Sequence, residues 1–367
     1  MIELNNQINI DFDNFDKTLT ALKNSPYQNI VLGAGERGVK LIEKLKEWQI
    51  EVADCLVNRK YASEEFIFRG VLFHIFEDEI HKYQKVNLIT AFPVKMLTLD
   101  DIHKDKINMI VSLNIGVYDD YLYTKEFYEL NYEKLNYVYN LLSDELSKKL
   151  FEQHISGRIL GQYVNDLIFS KNSDGYIYEE IIKWDNDETI IDAGAFDGDT
   201  ANEFLTKTKN KVNKLNIICF EPDHFNFTKL CEKYSDNSSI QLFEAGLWRE
   251  STTLNFNNGE EGLSAVDDNQ NGNTTITVVS LDEFFSEKEY YPTFIKMDIE
   301  GSEVAALEGA QKLIRRYSPK LAICLYHKKE DLFEIPLMIR SYENKYKFYV
   351  RKHINTPSEL VLYAIIR

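Results

Sequence analysis

The chain has 367 residues, 44% hydrophobic and 28% charged, the balance of a globular protein long enough for two domains. Its 59 acidic against 42 basic residues give a formal charge of −17, which argues against a nucleic-acid backbone as partner but leaves open an anionic substrate in a local basic pocket. No apolar run approaches the ~20 residues of a membrane span. The first residues lack the basic region and apolar core of a secretion signal. The four cysteines, Cys55, Cys219, Cys231 and Cys324, form no Cys-x-x-Cys pair, so free thiols in a reducing cytoplasm are expected.

Residues 12–25 read as a short helix, followed by a strand at Asn29–Leu32 and the loop Gly33-Ala34-Gly35-Glu36-Arg37-Gly38. That loop opens a helix whose apolar positions Val39, Leu41, Ile42, Leu45 and Trp48 share a face. Further strands are expected at 52–57, 87–92 and 107–112. Strands alternating with helices predict a parallel sheet, and the first ~115 residues read as a small Rossmann-like unit. Residues 118–170 are helical in pattern and are expected to bridge the two domains and pack on the second. Within them, Ser143-Asp144-Glu145-Leu146 marks a helix start, with the helix running past Gly157. The predicted division is 1–142, a Rossmann-like domain with helical bridge, and 143–367.

In the second domain, strands are expected at 189–193, 215–220, 240–244, 294–298, 320–325, 346–351 and 360–366, with helices near 199–207, 223–234, 302–316 and 330–345. The alternation in Thr253–Phe256 and Thr275–Val279 predicts a β-hairpin insert around a polar stretch, 257–273. The last two strands predict an antiparallel hairpin at one end of an otherwise parallel sheet.

The most informative stretch is Asp192-Ala193-Gly194-Ala195-Phe196-Asp197-Gly198-Asp199-Thr200, a glycine turn between strand and helix. Glycine lets a ligand approach the backbone. The next strand ends in Glu221, and an acid at the tip of the second strand of a βαβ unit can accept hydrogen bonds from both ribose hydroxyls. Three acids in the loop suit a cationic or uncharged nucleoside better than a pyrophosphate, and S-adenosylmethionine meets that description. The Gly33–Gly38 loop is closer to the dinucleotide pattern, yet its second strand runs into Asn58-Arg59-Lys60 with no acid at the tip. Arg37, Arg59 and Lys60 could favour a phosphate, as on a nucleotide sugar; the alternative is a domain retained for packing or dimer contacts.

The block Ile295-Lys296-Met297-Asp298-Ile299-Glu300-Gly301-Ser302-Glu303, with Ala306-Leu307-Glu308-Gly309-Ala310, is distinctive. Taken with the 192–200 loop, Phe220-Glu221-Pro222, Ser280-Leu281-Asp282 and Tyr326-His327, it closely resembles the FkbM family of S-adenosylmethionine-dependent methyltransferases from about residue 143 onward. That family is known for methylating hydroxyls of sugars and natural products. The resemblance implies a class I methyltransferase fold, an α/β Rossmann-like seven-stranded sheet whose last strand is antiparallel.

Within that frame, Gly194, Ala195, Phe196 and Gly198 are expected to wrap the methionine part of the cofactor. Asp192 is expected below them, bonding the cofactor amino group or the loop amides. Thr200 stands at the helix start, where it is expected to cap the helix. Glu221 with Pro222 takes the ribose, and Ala245 with Gly246 lies where such enzymes meet the adenine. Asp298 and Glu300 end the fourth strand beside the transferred methyl. Either can take a hydroxyl proton, or both can hold a divalent cation, although carboxylates there also simply complement a sulfonium. Glu303 shares their helical face or decorates the first turn. His327, ending the fifth strand, is a general base or acceptor contact. Lys296 alternates onto the side of Asp298 as an ion-pair partner, or is an exposed edge lysine.

The predicted activity is O-methylation of a sugar or glycan-type acceptor in the cytoplasm, by a chain with no membrane span that forms a homo-oligomer or acts alone. The alternatives are N-methylation of an amino sugar or amino-acid-containing group, an NAD-linked oxidoreductase, and a nucleotide-sugar-binding protein using the first loop.

Overall fold

The computed structural model describes residues 3–8, 10–93, 104–114, 122–163, 175–257, 265–266, 274–352 and 360–366. The chain divides into two compact units, Met1–Glu133 with Phe151–Ile168 and Lys134–Leu150 with Phe169–Arg367. The helical stretch expected to pack on the second domain is thus shared, with residues from 151 onward belonging to the first unit.

In the first unit, helix α1 (Asn14–Lys23) precedes β1 (Gln28–Leu32), α2 (Glu36–Glu47), β2 (Asp54–Val57), β3 (Phe66–Phe68), β4 (Val71–Ile75), α3 (Phe76–Glu79), β5 (Val86–Thr90) and β6 (Ile107–Ser112). The sheet order is β3-β4-β2-β1-β5-β6, parallel throughout except for the β3–β4 hairpin. The helix α2 buries Val39, Leu41 and Leu45, as its spacing predicts, in clusters with the sheet's apolar residues. The hairpin was not expected. Its two-residue turn, Arg69-Gly70, has both φ values positive (48° and 78°), a left-handed geometry that Asn-Gly or Gly-Gly usually advertises and Arg-Gly does not.

The helices α4 (Lys125–Leu141) and α5 (Glu145–Leu160) follow. Asp144 begins α5: its Oδ1 accepts the Ser147 N–H at 2.8 Å, and its Oδ2 accepts from the buried Arg351 guanidinium at 2.7 Å.

The second unit continues with β7 (Asp187–Ala193), α6 (Asp199–Thr208), β8 (Lys214–Phe220), α7 (His224–Tyr234), β9 (Ile240–Phe243), β10 (Gly246–Leu247), β11 (Thr252–Asn257), β12 (Ala265–Val266), β13 (Thr274–Val279), α8 (Leu281–Phe284), β14 (Phe294–Met297), α9 (Glu303–Glu308), α10 (Gln311–Tyr317), β15 (Lys320–Cys324), α11 (Asp331–Tyr342), β16 (Lys347–Arg351) and β17 (Val361–Ile365). Seven strands form one sheet in the order β16-β17-β15-β14-β7-β8-β9. β17 inserts between β15 and β16 and runs antiparallel to both; it is the reversed strand of an otherwise parallel sheet. The expected hairpin is present as β11 and β13, antiparallel, in a separate four-stranded sheet. Most of 257–273 lies outside the described residues.

One helix expected at 302–316 is two. The Gly309 carbonyl accepts from Ser280 Oγ and the Asp282 N–H, both at 2.8 Å, which diverts it from the helical ladder. A Cβ at Gly309 would lie 2.1 Å from the Trp248 carbonyl oxygen, so the chain passes too close there for any other residue. Among the described residues no helix is long and apolar enough to cross a membrane, and the four cysteines are free, Cys219 and Cys324 buried.

Aliphatic runs on β7, β8, β14, β15 and β17 bury both faces of the sheet, as a covered parallel sheet requires. Among its buried charges is one pair across adjacent strands. Lys296 and Asp192 are register partners on β14 and β7, with side chains 2% and 0% exposed and Nζ 3.1 Å from Oδ1. Removing one member of a buried pair strands the other charge and costs about 3–5 kcal/mol. Lys296→Met is therefore expected to lower the urea unfolding free energy by about that much, and Asp192→Asn added to it should recover part of the loss. A single-variant change below about 1 kcal/mol would show that the pair is not carrying this charge balance.

Candidate active site

The loop after β7 is built by close backbone contacts. Gly194 N–H and Ala195 N–H both donate to the Phe220 carbonyl, at 3.0 and 3.1 Å. Gly194 has φ +71°, and a Cβ on it would lie 1.9 Å from the Asp298 carbonyl oxygen, so only glycine lets the loop after β7 touch the end of β14. Gly198 has φ +85° and occupies the N-cap of α6, which corrects the expectation that Thr200 caps it. Thr200 lies one position inside, buried, its N–H taken by Asp199 Oδ1 at 2.6 Å. Ala195 is buried, whereas Phe196, also at positive φ (47°), is 37% exposed.

Asp192 lies below the loop and turns inward to Lys296 rather than outward. The Lys296 ammonium also donates to the carbonyls of Ala193 (3.2 Å) and Gly194 (2.7 Å). Lys296 is thus neither an exposed edge lysine nor the direct partner of Asp298. Burial opposes its charge, but the carboxylates of Asp192 and Asp298 outweigh burial and hold its pKa above the usual lysine value.

Glu221 extends from the tip of β8 back to the loop. Its Oε2 accepts the Phe196 N–H at 2.8 Å and its Oε1 the Asp223 N–H at 2.9 Å, leaving each oxygen a further lone pair. Burial raises its pKa to about 7, against the lowering effect of the two amides. Pro222 is half-buried beside it, and Asp223 caps α7 through the Asn226 N–H at 3.0 Å. Ala245 is buried, Gly246 begins β10, and the Glu244 carboxylate between them and β9 pairs with exposed His224 at 2.7 Å.

Asp298, Glu300 and His327 come together. His327 Nε2 lies 3.2 Å from Asp298 Oδ1 and 3.6 Å from Glu300 Oε2, and its Nδ1 lies 2.8 Å from Glu303 Oε1. The His327 and Glu303 side chains are fully buried, whereas Asp298 and Glu300 are 23% and 26% exposed. Burial would lower the histidine's pKa, but the Glu303 charge and the hydrogen bonds its ring donates to Asp298 and Glu303 raise it well above the usual value. The same contacts act in reverse on Asp298. Burial would raise its carboxyl, but His327, Lys296 and the Tyr176 hydroxyl hold it well below the usual range. The neighbouring carboxylates therefore favour the charged imidazole against the effect of burial. Glu300 is held in the left-handed region (φ +54°), a strain of order 1–3 kcal/mol that turns its carboxylate toward His327.

Four groups in this network had no role in the sequence reading. Tyr176 and Tyr326 donate their hydroxyls to Asp298 at 2.7 and 3.0 Å. Glu203 accepts the N–H groups of Tyr176 and Ile177 (2.8 and 3.0 Å), fixing that segment. Asp331, buried at the start of α11, lies with Glu303 and His327, and burial raises its pKa to about 7. Tyr176 precedes the first strand in a segment with no periodicity, so nothing local marks it.

The other glycine loop is also tightly folded. Gly33 and Gly35 have positive φ (118° and 90°), and a Cβ on Gly38 would meet the Gly33 carbonyl at 2.2 Å. Arg59, however, is committed elsewhere: its guanidinium pairs with Asp78 and its N–H donates to Glu77. That removes one of three cations expected to favour a phosphate.

Residues 192–348 match the family model of the methyltransferase FkbM domain. The chain resembles the crystal structure of a methyltransferase FkbM from Methylobacillus flagellatus with TM-score 0.71 and 20% identity, covering 98% of this chain and 95% of that one. Aeropyrum pernix fibrillarin, solved with natively bound S-adenosyl-L-methionine, matches at TM-score 0.31 and 9% identity over 49% of this chain and 66% of its own. Human methyltransferase-like protein 13 in complex with SAH matches at 0.31 and 12% over 49% and 72%. No curated protein sequence matches the chain. The loop after β7 and the carboxylates following β14 fall within the matched span, and residues 192–348 form a FkbM-type methyltransferase domain.

Proposed function

We propose that the protein transfers a methyl group from S-adenosylmethionine to a hydroxyl of a sugar or glycan-type acceptor. The observation that carries this reading is the convergence of two acids on one glycine loop. Glu221 binds the loop through the Phe196 N–H, and the Asp298 backbone abuts the loop at Gly194. These groups stand at the carboxyl ends of β8 and β14, where open α/β sheets bind ligands. The residues suit this cofactor. Glu221 retains a lone pair on each oxygen for the two ribose hydroxyls, and the half-exposed carboxylates Asp298 and Glu300 complement a cation.

When bound, the cofactor supplies an electrophilic methyl on a sulfonium. The chain's part is to hold and orient. Asp298, kept ionised by His327 and Lys296, places a fixed negative charge at the end of β14. His327, with Nδ1 against Glu303 and Nε2 against Asp298, fixes the Asp298 carboxylate rather than serving as the base. Glu300, the more exposed carboxylate of the cluster, is the group placed to accept a proton from the acceptor hydroxyl. An uncharged polyol suits this acidic mouth better than an anionic acceptor, and a hydroxyl acceptor is what the resemblance to the FkbM family implies. Methylation of an amine is the second reading, since the same carboxylates would also hold an ammonium group.

Calorimetry with S-adenosylmethionine, S-adenosylhomocysteine and NAD tests the cofactor; binding of NAD alone would sink the reading. Glu221→Ala should weaken S-adenosylmethionine binding by roughly 10- to 100-fold, the loss of charge-assisted hydrogen bonds worth about 1.5–3 kcal/mol. Binding that favours ionised Glu221 strengthens as pH rises to the ligand-free pKa of about 7 and levels off above it. At pH 6 affinity should be about tenfold below that at pH 8, and Glu221→Gln should flatten the profile.

For turnover, Asp298→Asn should cut kcat by at least about 100-fold while changing cofactor Kd by less than about threefold. A mass-spectrometric screen of neutral sugars, amino sugars and uronic acids identifies the acceptor. Product methylated only on nitrogen would replace the hydroxyl reading with the amine one.

A further inference from the structure

We propose that Asp298, Glu300 and His327 form a binding site for a borderline divalent cation such as Mn2+, Fe2+ or Zn2+, which holds the acceptor's oxygen in the mouth of the site. The role in holding the acceptor rests on the methyltransferase reading above; the binding of the ion does not.

Three ligand atoms converge on one point. Nε2 of His327 is 3.2 Å from Asp298 Oδ1 and 3.6 Å from Glu300 Oε2, and the three groups lie within 4.8 Å of one another. Ligands bonded at ~2.1 Å to one ion stand ~3.0–3.5 Å apart in octahedral or tetrahedral arrangement, so the observed spacing needs little adjustment. One imidazole and two carboxylates favour a borderline ion over Ca2+ or Mg2+, which prefer all-oxygen sets. The two carboxylates are partly exposed, giving an ion a way in, while the imidazole forms the buried floor.

A second observation concerns the far side of the ring. Glu303 Oε1 sits 2.8 Å from Nδ1 and also accepts the Ile299 N–H at 3.0 Å. A carboxylate on the far nitrogen fixes the tautomer and aims Nε2 outward, the arrangement that supports histidines bound to metals. The other Glu303 oxygen, Oε2, is fully buried with no hydrogen-bond partner among the described residues, and buried Asp331 lies in the same group. Carboxylates thus surround the imidazole on both sides, so an ion binding at Nε2 displaces the proton there while Nδ1–H stays on Glu303, and a divalent charge balances the surrounding carboxylates more fully than that proton does. Asp298 is itself oriented as a ligand, with the Tyr176 and Tyr326 hydroxyls bonded to its two oxygens. Three protein ligands leave positions for water and for one or two neighbouring hydroxyls of a polyol.

The full chain, stripped with a chelator and free of cofactor and acceptor, is titrated with Mn2+ and the free ion followed by electron paramagnetic resonance. One site per chain is expected. Glu300→Gln and His327→Gln should each weaken it at least tenfold, and Asp236→Asn, exposed after α7, should leave it unchanged. Co2+ added to the wild type should give visible bands from a nitrogen-containing site, absent in His327→Gln. Circular dichroism checks each fold, and Glu300→Gln, on a partly exposed side chain, keeps the test decisive should His327→Gln unfold. No binding of Mn2+, Co2+ or Zn2+ at millimolar concentration, or binding that ignores both substitutions, overturns the proposal and leaves a proton as the only cation on His327. S-adenosylmethionine calorimetry on the same stripped chain separates the two readings. Cofactor binding without metal binding removes the ion alone, and metal binding without cofactor binding removes the cofactor reading alone.

Discussion

The buried ion pair between Lys296 and Asp192 is the constraint on which the site depends. A lysine in the interior of a parallel sheet is costly unless its three protons are all taken. Here the ammonium donates to the carbonyls of Ala193 and Gly194 and lies 3.1 Å from the Asp192 carboxylate. The pair therefore does more than balance charge, because the ammonium fixes the direction in which the chain leaves β7. The loop is then pressed against β14, with the missing Cβ of Gly194 facing the Asp298 carbonyl. The loop after β7 and the end of β14 are thus set by one buried cation.

Around His327 the same principle operates at the mouth of the crevice. Burial alone would leave the imidazole neutral and the carboxyls protonated, the opposite of a useful site. Placing the ring between Glu303 on one side and Asp298 with Glu300 on the other reverses both tendencies. The tyrosine hydroxyls of Tyr176 and Tyr326 then hold Asp298 in the one orientation that faces both ring and crevice. Such a network is stiff, since each member is positioned by at least one other, and stiffness is what methyl transfer asks of its protein.

The two glycine loops show how little a motif says without its surroundings. Gly33–Gly38 folds as tightly as its spacing predicts, with β1 between β2 and β5 at a switch in strand order. Yet Arg59 is drawn to Asp78 and Glu77, and the tip of β2 carries no acid. The less regular loop at 192–200 has Glu221 hydrogen-bonded directly to it.

The sequence by itself determined the alternation of strands and helices in both units, because that rests on local apolar periodicity. It also placed Glu221, Asp298, Glu300 and His327 at strand ends, since where a strand stops is a local property. It missed the β3–β4 hairpin, whose turn residues are atypical, and the break at Gly309, which is imposed by Trp248 and Ser280 from distant parts of the chain. Only tertiary structure decided which charge meets which. Lys296 pairs with Asp192 across adjacent strands rather than with Asp298 two residues along its own, and Tyr176, 122 residues before Asp298, reaches it through the fold. The protonation of His327 belongs to the same class. Its raised pKa is set by burial and by the Glu303 and Asp298 carboxylates, quantities that exist only once the chain is packed.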